Sequence, residues 1–346
     1  MIDLNSSHIL ITGGAGFIGS WLIRELFVQY PQCRITNVDA LTYAGNLDNL
    51  SDVSNHPNYT FVQGDIRDEG LMTKLVSDVD IVVNAAAQTH VDRSISGPQL
   101  FTDTNVMGTQ VLLEAVRQAG VKRFVQVSTD EVYGSIEEGG FTESSPIQPN
   151  SPYSASKAAA DLLVMSYFKT YGMNIGMTRC SNNYGPYQYP EKLIPLFVLN
   201  ALDDKSLPVY GDGMQIRDWI HVRDHAKAVI RVIESGEAGE IYNIGSNNEW
   251  ANIQITKTLL ELLDKPESLI EYVTDRPGHD RRYAIDSSKM KNTLQWEPSV
   301  CFKDGLQETI DWYQENEGWV ACVKERAKKA NEALEQGVHA VPSVAC

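Results

Sequence analysis

The chain has 346 residues, enough for a sizeable core and two lobes, and its composition is that of an ordinary globular protein. Its formal net charge of −16 argues against a nucleic-acid or anionic-membrane partner, because either needs a basic surface to offset its own charge. Met1-Ile-Asp-Leu-Asn-Ser-Ser-His has no cationic segment leading into an apolar stretch, and no apolar run is long enough to span a bilayer, so a cytoplasmic protein is expected.

The first apolar run, His8-Ile-Leu-Ile-Thr, reads as a strand that ends in Gly13-Gly-Ala-Gly-Phe-Ile-Gly19 and passes into the helical pattern Ser20-Trp-Leu-Ile-Arg-Glu-Leu-Phe-Val. A second strand-like run, Arg34-Ile-Thr-Asn-Val, ends at Asp39. This order is the βαβ context of a dinucleotide fingerprint, with Gly13, Gly16 and Gly19 spaced so that bare backbone can approach a pyrophosphate at a helix N-terminus. Asp39 suits a ribose diol as acceptor and repels a 2′-phosphate, which favours NAD over NADP.

Further strands follow at Tyr59-Thr-Phe-Val-Gln, Asp80-Ile-Val-Val-Asn and Arg123-Phe-Val-Gln-Val, with helical stretches between them that include residues 105–120. The alternation implies an α/β fold, a Rossmann-type doubly wound parallel sheet whose ligands collect beyond the carboxyl ends of the strands. Gly64-Asp65-Ile66, Ala85-Ala-Ala-Gln-Thr-His90 and Ser128-Thr-Asp-Glu131 fall at such ends. Two acids after a strand often do no more than form a turn or cap a helix, and the convergence of three strand ends on one crevice weakens that explanation for Asp130 and Glu131. Tyr153-Ser-Ala-Ser-Lys157 then opens a helical run. Four residues apart, the two side chains share a face, so the ammonium can lower the phenol pKa and let tyrosinate act as a base.

His221 and His225 have the i, i+4 spacing of a helical metal site, but no third ligand is evident and no metal is expected. The five cysteines lack a Cys-x-x-Cys pair, so neither a zinc site nor a disulfide framework is suggested and reduced thiols are expected.

Thr12-Gly-Gly-Ala-Gly-Phe-Ile-Gly19, Asn84-Ala-Ala-Ala, Ser128-Thr129 and Tyr153-x-x-x-Lys157 resemble the extended short-chain dehydrogenase/reductase family. Within it, Asp39-Ala-Leu-Thr-Tyr-Ala-Gly-Asn46, His90-Val-Asp-Arg-Ser94, Ser128-Thr-Asp-Glu-Val-Tyr-Gly134, the run from Asn182 to Pro195 and Asp275-Arg-Pro-Gly-His-Asp-Arg-Arg282 resemble the dTDP-glucose 4,6-dehydratases. The resemblance implies oxidation of a nucleotide sugar at carbon 4, loss of water across carbons 5 and 6, and hydride return to carbon 6. Tyr153, with Lys157, is then the base at the 4-hydroxyl, Thr129 a hydrogen-bond partner of that oxygen, Glu131 the base at carbon 5 and a protonated Asp130 the acid at the 6-hydroxyl. Gly13, Gly16, Phe17, Ile18, Gly19, Asp39, Asp65, Ile66, Ala85, Ala86, Ala87 and Thr104, with Tyr153 and Lys157, are expected to hold NAD.

For the nucleotide sugar the expected contacts are Thr89, His90, the amides of Asn182 and Asn183, and Glu191, Lys192 and Leu193 at the start of a helix-like segment. Pro208 and Tyr210 offer surface for the base, Arg217, Arg276 and His279 could meet the diphosphate, and Asn252 resembles a nucleotide-contacting position. Residues 1–180 are expected to form the NAD-binding domain with the catalytic groups. Residues 181–320 form mainly a smaller, mixed nucleotide-sugar lobe, within which the chain can return to the first domain, and 321–346 a C-terminal tail; the lysine- and alanine-rich stretch from about Trp319 is expected as a terminal helix ending in disorder, with no function read into it. The helices at 105–120 and 153–171 resemble a pair that makes a four-helix homodimer interface. Gln88, in Ala85-Ala-Ala-Gln-Thr-His90, is closer to UDP-glucose 4,6-dehydratases and leaves the base open between thymine and uracil. A nucleotide-sugar epimerase or decarboxylase of the family, or a non-catalytic NAD-binding protein, remain alternatives, although neither needs the Asp-Glu pair.

Overall fold

Residues 1–335 are described by the computed structural model; the last part of the expected tail, 336–346, lies outside them. Strand β1 (His8–Thr12) is sealed from Ile9 onward, and Gly13, at φ +71°, turns the chain into helix α1 (Phe17–Gln29). A Cβ on Gly13 would lie 2.7 Å from the backbone of Ala86, and one on Gly19 would lie 2.3 Å from the Gly13 carbonyl oxygen. Only glycine lets the helix begin this close to two strand ends.

β2 (Arg34–Asp39), β3 (Tyr59–Gln63), α2 (Glu69–Val76) and β4 (Ile81–Asn84) follow. After the short helices α3 (Val91–Ser96) and α4 (Pro98–Phe101), residues Thr102–Gly108 form a π-helical segment before α5 (Thr109–Ala119). The α-helix expected over 105–120 therefore begins later. Asn105 is turned inward, its amide bonding the Gln88 backbone at both N–H (2.8 Å) and carbonyl (3.0 Å), and a widened turn accommodates that side chain. β5 (Arg123–Thr129) is buried throughout, and a single 3₁₀ turn, Asp130–Tyr133, carries the two acids. α6 (Pro152–Tyr171) starts on a capping box between Ser151 and Ser154 with Pro152 in its first turn, and β6 (Ile175–Cys180) follows.

The second half supplies β7 (Asn182–Tyr184), α7 (Leu193–Leu202), β8 (Leu207–Tyr210), β9 (Ile216–His221), α8 (Val222–Ser235) and β10 (Glu240–Ile244). It continues with β11 (Glu249–Ala251), α9 (Asn252–Leu262), β12 (Ile270–Val273), α10 (Ser288–Leu294), α11 (Phe302–Glu315) and α12 (Glu317–Glu335). Seven strands form a parallel sheet in the order β10-β6-β5-β4-β1-β2-β3. Ile9 and Ile11 pack on one face with side chains of α1 and α8, and Leu10 packs on the other with side chains of α2 and α5, as the two-residue period of a strand covered on both faces demands. Strand order reverses about β1, between β2 and β4, which opens a crevice beyond their carboxyl ends. β7, β9 and β11 make a small mixed sheet, β8 and β12 a parallel pair, and both abut a second core built on α7, α9 and α11.

Among the described residues no helix is long and apolar enough to cross a membrane, and no group of three or more His, Cys, Asp or Glu side chains is placed to hold a metal ion. Cys33, Cys180 and Cys301 are free thiols, but Cys322 on α12 is disulfide-bonded, contrary to the expectation of reduced thiols throughout.

Candidate active site

A cavity of about 670 Å³ opens at the carboxyl ends of the parallel strands and runs on beneath β8 and β9, and every residue assigned from the sequence to catalysis, cofactor or substrate lines it. At one end lies the glycine turn. The N-terminus of α1 has no side-chain cap and no acid in its first turn, so its free N–H groups remain available to an anion. Asp39, at the end of β2, accepts hydrogen bonds from the N–H of Ala15 (3.0 Å) and of Leu41 (2.8 Å). Burial pushes its carboxyl up, and these two N–H groups oppose that shift. Two acceptors on Asp39 leave lone pairs for a diol, and the bare turn leaves room for a diphosphate, so this end fits the dinucleotide expected from the sequence. Asp65 is held by a fork from Arg67, with its closest contact at 2.7 Å.

The middle of the cavity is built where β5 ends. The Thr129 hydroxyl accepts from the Glu131 N–H and donates to one oxygen of Asp130, both at 3.3 Å. The other Asp130 oxygen is buried with no partner, an arrangement that costs about 1–3 kcal/mol if the group is left unsatisfied. Burial, then the Glu131 and Asp218 charges, push Asp130 well above the usual carboxylate range. Glu131 is also raised by burial, but Lys192, Arg217 and Arg276 act against the shift. Tyr153 is buried beside them, packing edge-on to Phe101 with centroids 6.3 Å apart. Burial and the Glu131 charge hold its phenol well above the ordinary value, while the Thr129 hydroxyl works the other way. Lys157 donates to the Val127 carbonyl at 2.8 Å. The lowering of the phenol pKa expected from the helical Tyr-Lys pair is not seen in this state, in which burial and the Glu131 charge dominate.

Several expected substrate contacts are already committed to the protein. Glu191 accepts from the Tyr43 hydroxyl (2.8 Å) and Arg93 Nε (3.0 Å), and Lys192 Nζ donates to the Thr89 carbonyl (2.8 Å). Arg217 lies over the Tyr283 ring and donates to the carbonyls of Ile216 and Asp280 at 2.7 and 2.9 Å. The Asn183 amide donates to the Ser181 carbonyl, and its oxygen meets His225 Nδ1 at 2.8 Å. Burial takes both His221 and His225 down to about 4, so they are neutral core imidazoles. Arg276 Nη1 and the Tyr210 hydroxyl reach the two oxygens of Asp92 at 3.2 and 3.4 Å, and His279 Nδ1 pairs with Asp275 at 2.6 Å. Arg276 and Tyr210, from one lobe, therefore meet Asp92 on α3, from the other.

Tyr43, Cys180, Tyr189 and Tyr283 also line the cavity and were not singled out from the sequence. Tyr43 lies inside a motif that was read only for Asp39. Tyr189 likewise lies inside the run from Asn182 to Pro195, read only for its amides and for Glu191 to Leu193, whereas Cys180 and Tyr283 carry no local pattern.

A family model described as GDP-mannose 4,6 dehydratase matches residues 10–309. A dTDP-glucose 4,6-dehydratase of Actinoplanes sp. is 51% identical over 316 residues, which cover 90% of this chain and 99% of that protein. The crystal structure of DesIV, a dTDP-glucose 4,6-dehydratase from Streptomyces venezuelae solved with NAD bound, superposes with a TM-score of 0.89 at 52% identity, covering 90% of this chain and 98% of that one. A dTDP-glucose 4,6-dehydratase from Bacillus anthracis in complex with NAD gives 0.85 at 53% identity, with 91% and 98% covered. With this similarity running through both lobes and the strand-end acids in place, the chain belongs to the dTDP-glucose 4,6-dehydratase family of extended short-chain dehydrogenases/reductases.

Proposed function

We propose that the protein is an NAD-dependent dTDP-glucose 4,6-dehydratase, a hydro-lyase that forms dTDP-4-keto-6-deoxy-glucose and water. The observation that carries this reading is the pair of adjacent acids, Asp130 buried and Glu131 half-buried, in one cavity with Thr129 and Tyr153, supported by relatives of about half-identical sequence that bear the same activity in their names. Residues 1–180 would hold the cofactor and the catalytic groups, and 181–320 mainly the nucleotide sugar.

The glycine turn and Asp39 would hold NAD, which when bound would supply reversible hydride transfer, from carbon 4 in the oxidation and back to carbon 6 as carbon 5 regains a proton. Tyr153 accepts the proton of the 4-hydroxyl, and Thr129 hydrogen-bonds the same oxygen. Oxidation makes the carbon 5 proton acidic. Glu131 removes it, while Asp130 protonates the departing 6-hydroxyl so that water leaves rather than hydroxide. The environments suit this division, because two carboxylates against one cation, Arg217, act on Asp130, whereas three cations against one carboxylate, Asp280, act on Glu131. A role for Tyr153 as base requires bound ligands to change the balance that keeps it protonated, and the positive nicotinamide ring is suited to that.

A homodimer through α5 and α6 completes the reading, supported by the exposed Met107, Leu162 and Tyr171 on and beside these helices. Mass spectrometry of the products from dTDP-glucose and from UDP-glucose tests the function. Loss of water with the larger kcat/KM on dTDP-glucose is the expected result; a 4-epimer of unchanged mass would overturn it.

A further inference from the structure

Helix α12 begins after the residues matched by the family model, yet it lies against the cofactor end of the cavity. Val323 and Ala330 pack with Tyr43 and Tyr189, and Trp319 and Ala327 flank them. Trp319 Nε1 donates to the Asn49 side chain at 2.8 Å; the Asn49 amide in turn donates to the carbonyl of Ala15, inside the glycine turn, at 2.9 Å. Arg326 is 6% exposed and donates from Nη2 to the carbonyls of Thr42 and Gly45.

The segment these contacts grip needs support. Leu41 sits at φ +51°, a conformation a leucine resists, and a Cβ on Gly45 would lie 2.7 Å from Asp39 Oδ1. The chain is thus wrapped tightly around the Asp39 carboxylate, through the Leu41 N–H on one oxygen and the Ala15 N–H on the other. A buried carboxylate with only N–H partners remains electrostatically costly, and the Arg326 charge, bonded to the carbonyls of Thr42 and Gly45 rather than to Asp39, eases that cost through space.

We propose that α12 is a strap that retains the dinucleotide and that Arg326 is its positioning residue, fixing residues 41–45 around Asp39 so that the ribose acceptor is preformed. The inference rests on the reading of the glycine turn and Asp39 as an NAD site. Retention has a chemical purpose, because an electron pair taken at carbon 4 must be returned to the same sugar, and loss of the cofactor between the two events strands the intermediate.

The test uses the full chain, stripped of endogenous dinucleotide and titrated with NAD by calorimetry, in wild-type form and as Arg326→Ala, Arg326→Lys and Trp319→Phe. Arg326→Ala is expected to raise the Kd for NAD roughly tenfold or more, the usual effect of losing a buried charge-assisted hydrogen bond, and to shed NAD during gel filtration. At saturating NAD its kcat should stay within about twofold of wild type, since the reacting groups are untouched. Arg326→Lys should recover part of the affinity by keeping the charge. Trp319→Phe keeps the aromatic packing and should weaken NAD binding by removing only the donor to Asn49. Wild-type Kd and retention in both Arg326→Ala and Trp319→Phe would overturn the strap, as would a fall in kcat at unchanged Kd. Failure of the wild-type chain itself to bind NAD would remove the cofactor reading, and the strap with it.

Discussion

Asp130 and Glu131 are neighbours on one 3₁₀ turn, yet their surroundings are unequal: the Glu131 and Asp218 carboxylates outnumber Arg217 around Asp130, whereas Lys192, Arg217 and Arg276 outnumber Asp280 around Glu131. Adjacent carboxyls of unequal proton affinity share protons unequally, which is what an acid and a base acting on one substrate require.

Glu131→Gln should therefore leave the first step intact. On mixing with substrate, NADH absorbance appears while solvent deuterium incorporation at carbon 5 nearly stops. Asp130→Asn also permits oxidation, but removes the proton donor, so carbon 5 exchange persists and dehydration falls by roughly 10²–10⁴. Tyr153→Phe forms little NADH. Near wild-type dehydration by both acid mutants would reduce Asp130 and Glu131 to turn residues.

Asp130→Asn should also stabilise the ligand-free protein. The folded-state pKa of Asp130 is raised, chiefly by burial, so its contribution to stability is full below the unfolded carboxyl pKa and is lost as pH rises from there through the folded value. At neutral pH the native carboxyl is therefore a burden, and an amide of the same shape relieves it. A rise in Tm of about 2–4 °C near pH 7, shrinking toward pH 4, is expected in melting curves recorded across that range. An equal shift at both pH values would deny the electrostatic cause.

Asp39→Ala removes both the ribose acceptor and the charge that opposes a 2′-phosphate. Affinity for NAD should fall about tenfold or more, and the preference for NAD over NADP should narrow. Titration with the two cofactors gives the ratio directly; an unchanged ratio would place Asp39 away from the ribose.

For the assembly, sedimentation at micromolar concentration should give twice the chain mass. Leu162 is 62% exposed on α6, and Leu162→Asp should shift the equilibrium toward monomer by placing an unpaired charge in the contact. A wild-type monomer would contradict the proposed interface.

Much of this was legible locally. The glycine turn, the strand ends at Asp39, Ala85 and Thr129, and the helix opening at Tyr153 follow from apolar runs punctuated by glycine and acids, because a parallel sheet delivers all such ends to one edge. What pattern reading missed depends on distant partners. The capture of Lys157 by the Val127 carbonyl, and of Glu191 by Tyr43 and Arg93, joins segments far apart in the chain. Asn105 widens its helix because Gln88 lies opposite it. The terminal helix expected from about Trp319 is present as α12, but its docking on residues 42–49 through Trp319 and Arg326 carries no local signal.

The return of the chain to its first sheet has a consequence for synthesis on the ribosome. Six of the seven parallel strands lie within the first 180 residues, but the seventh, β10, is Glu240–Ile244, and until it emerges β6 stands as an open edge. An unpaired, fully buried-type strand such as Ile175–Cys180 is a template for pairing with another chain. The whole of β7 to α8 must therefore be made before that edge of the sheet is covered, which is the interval in which pairing with another chain competes with folding.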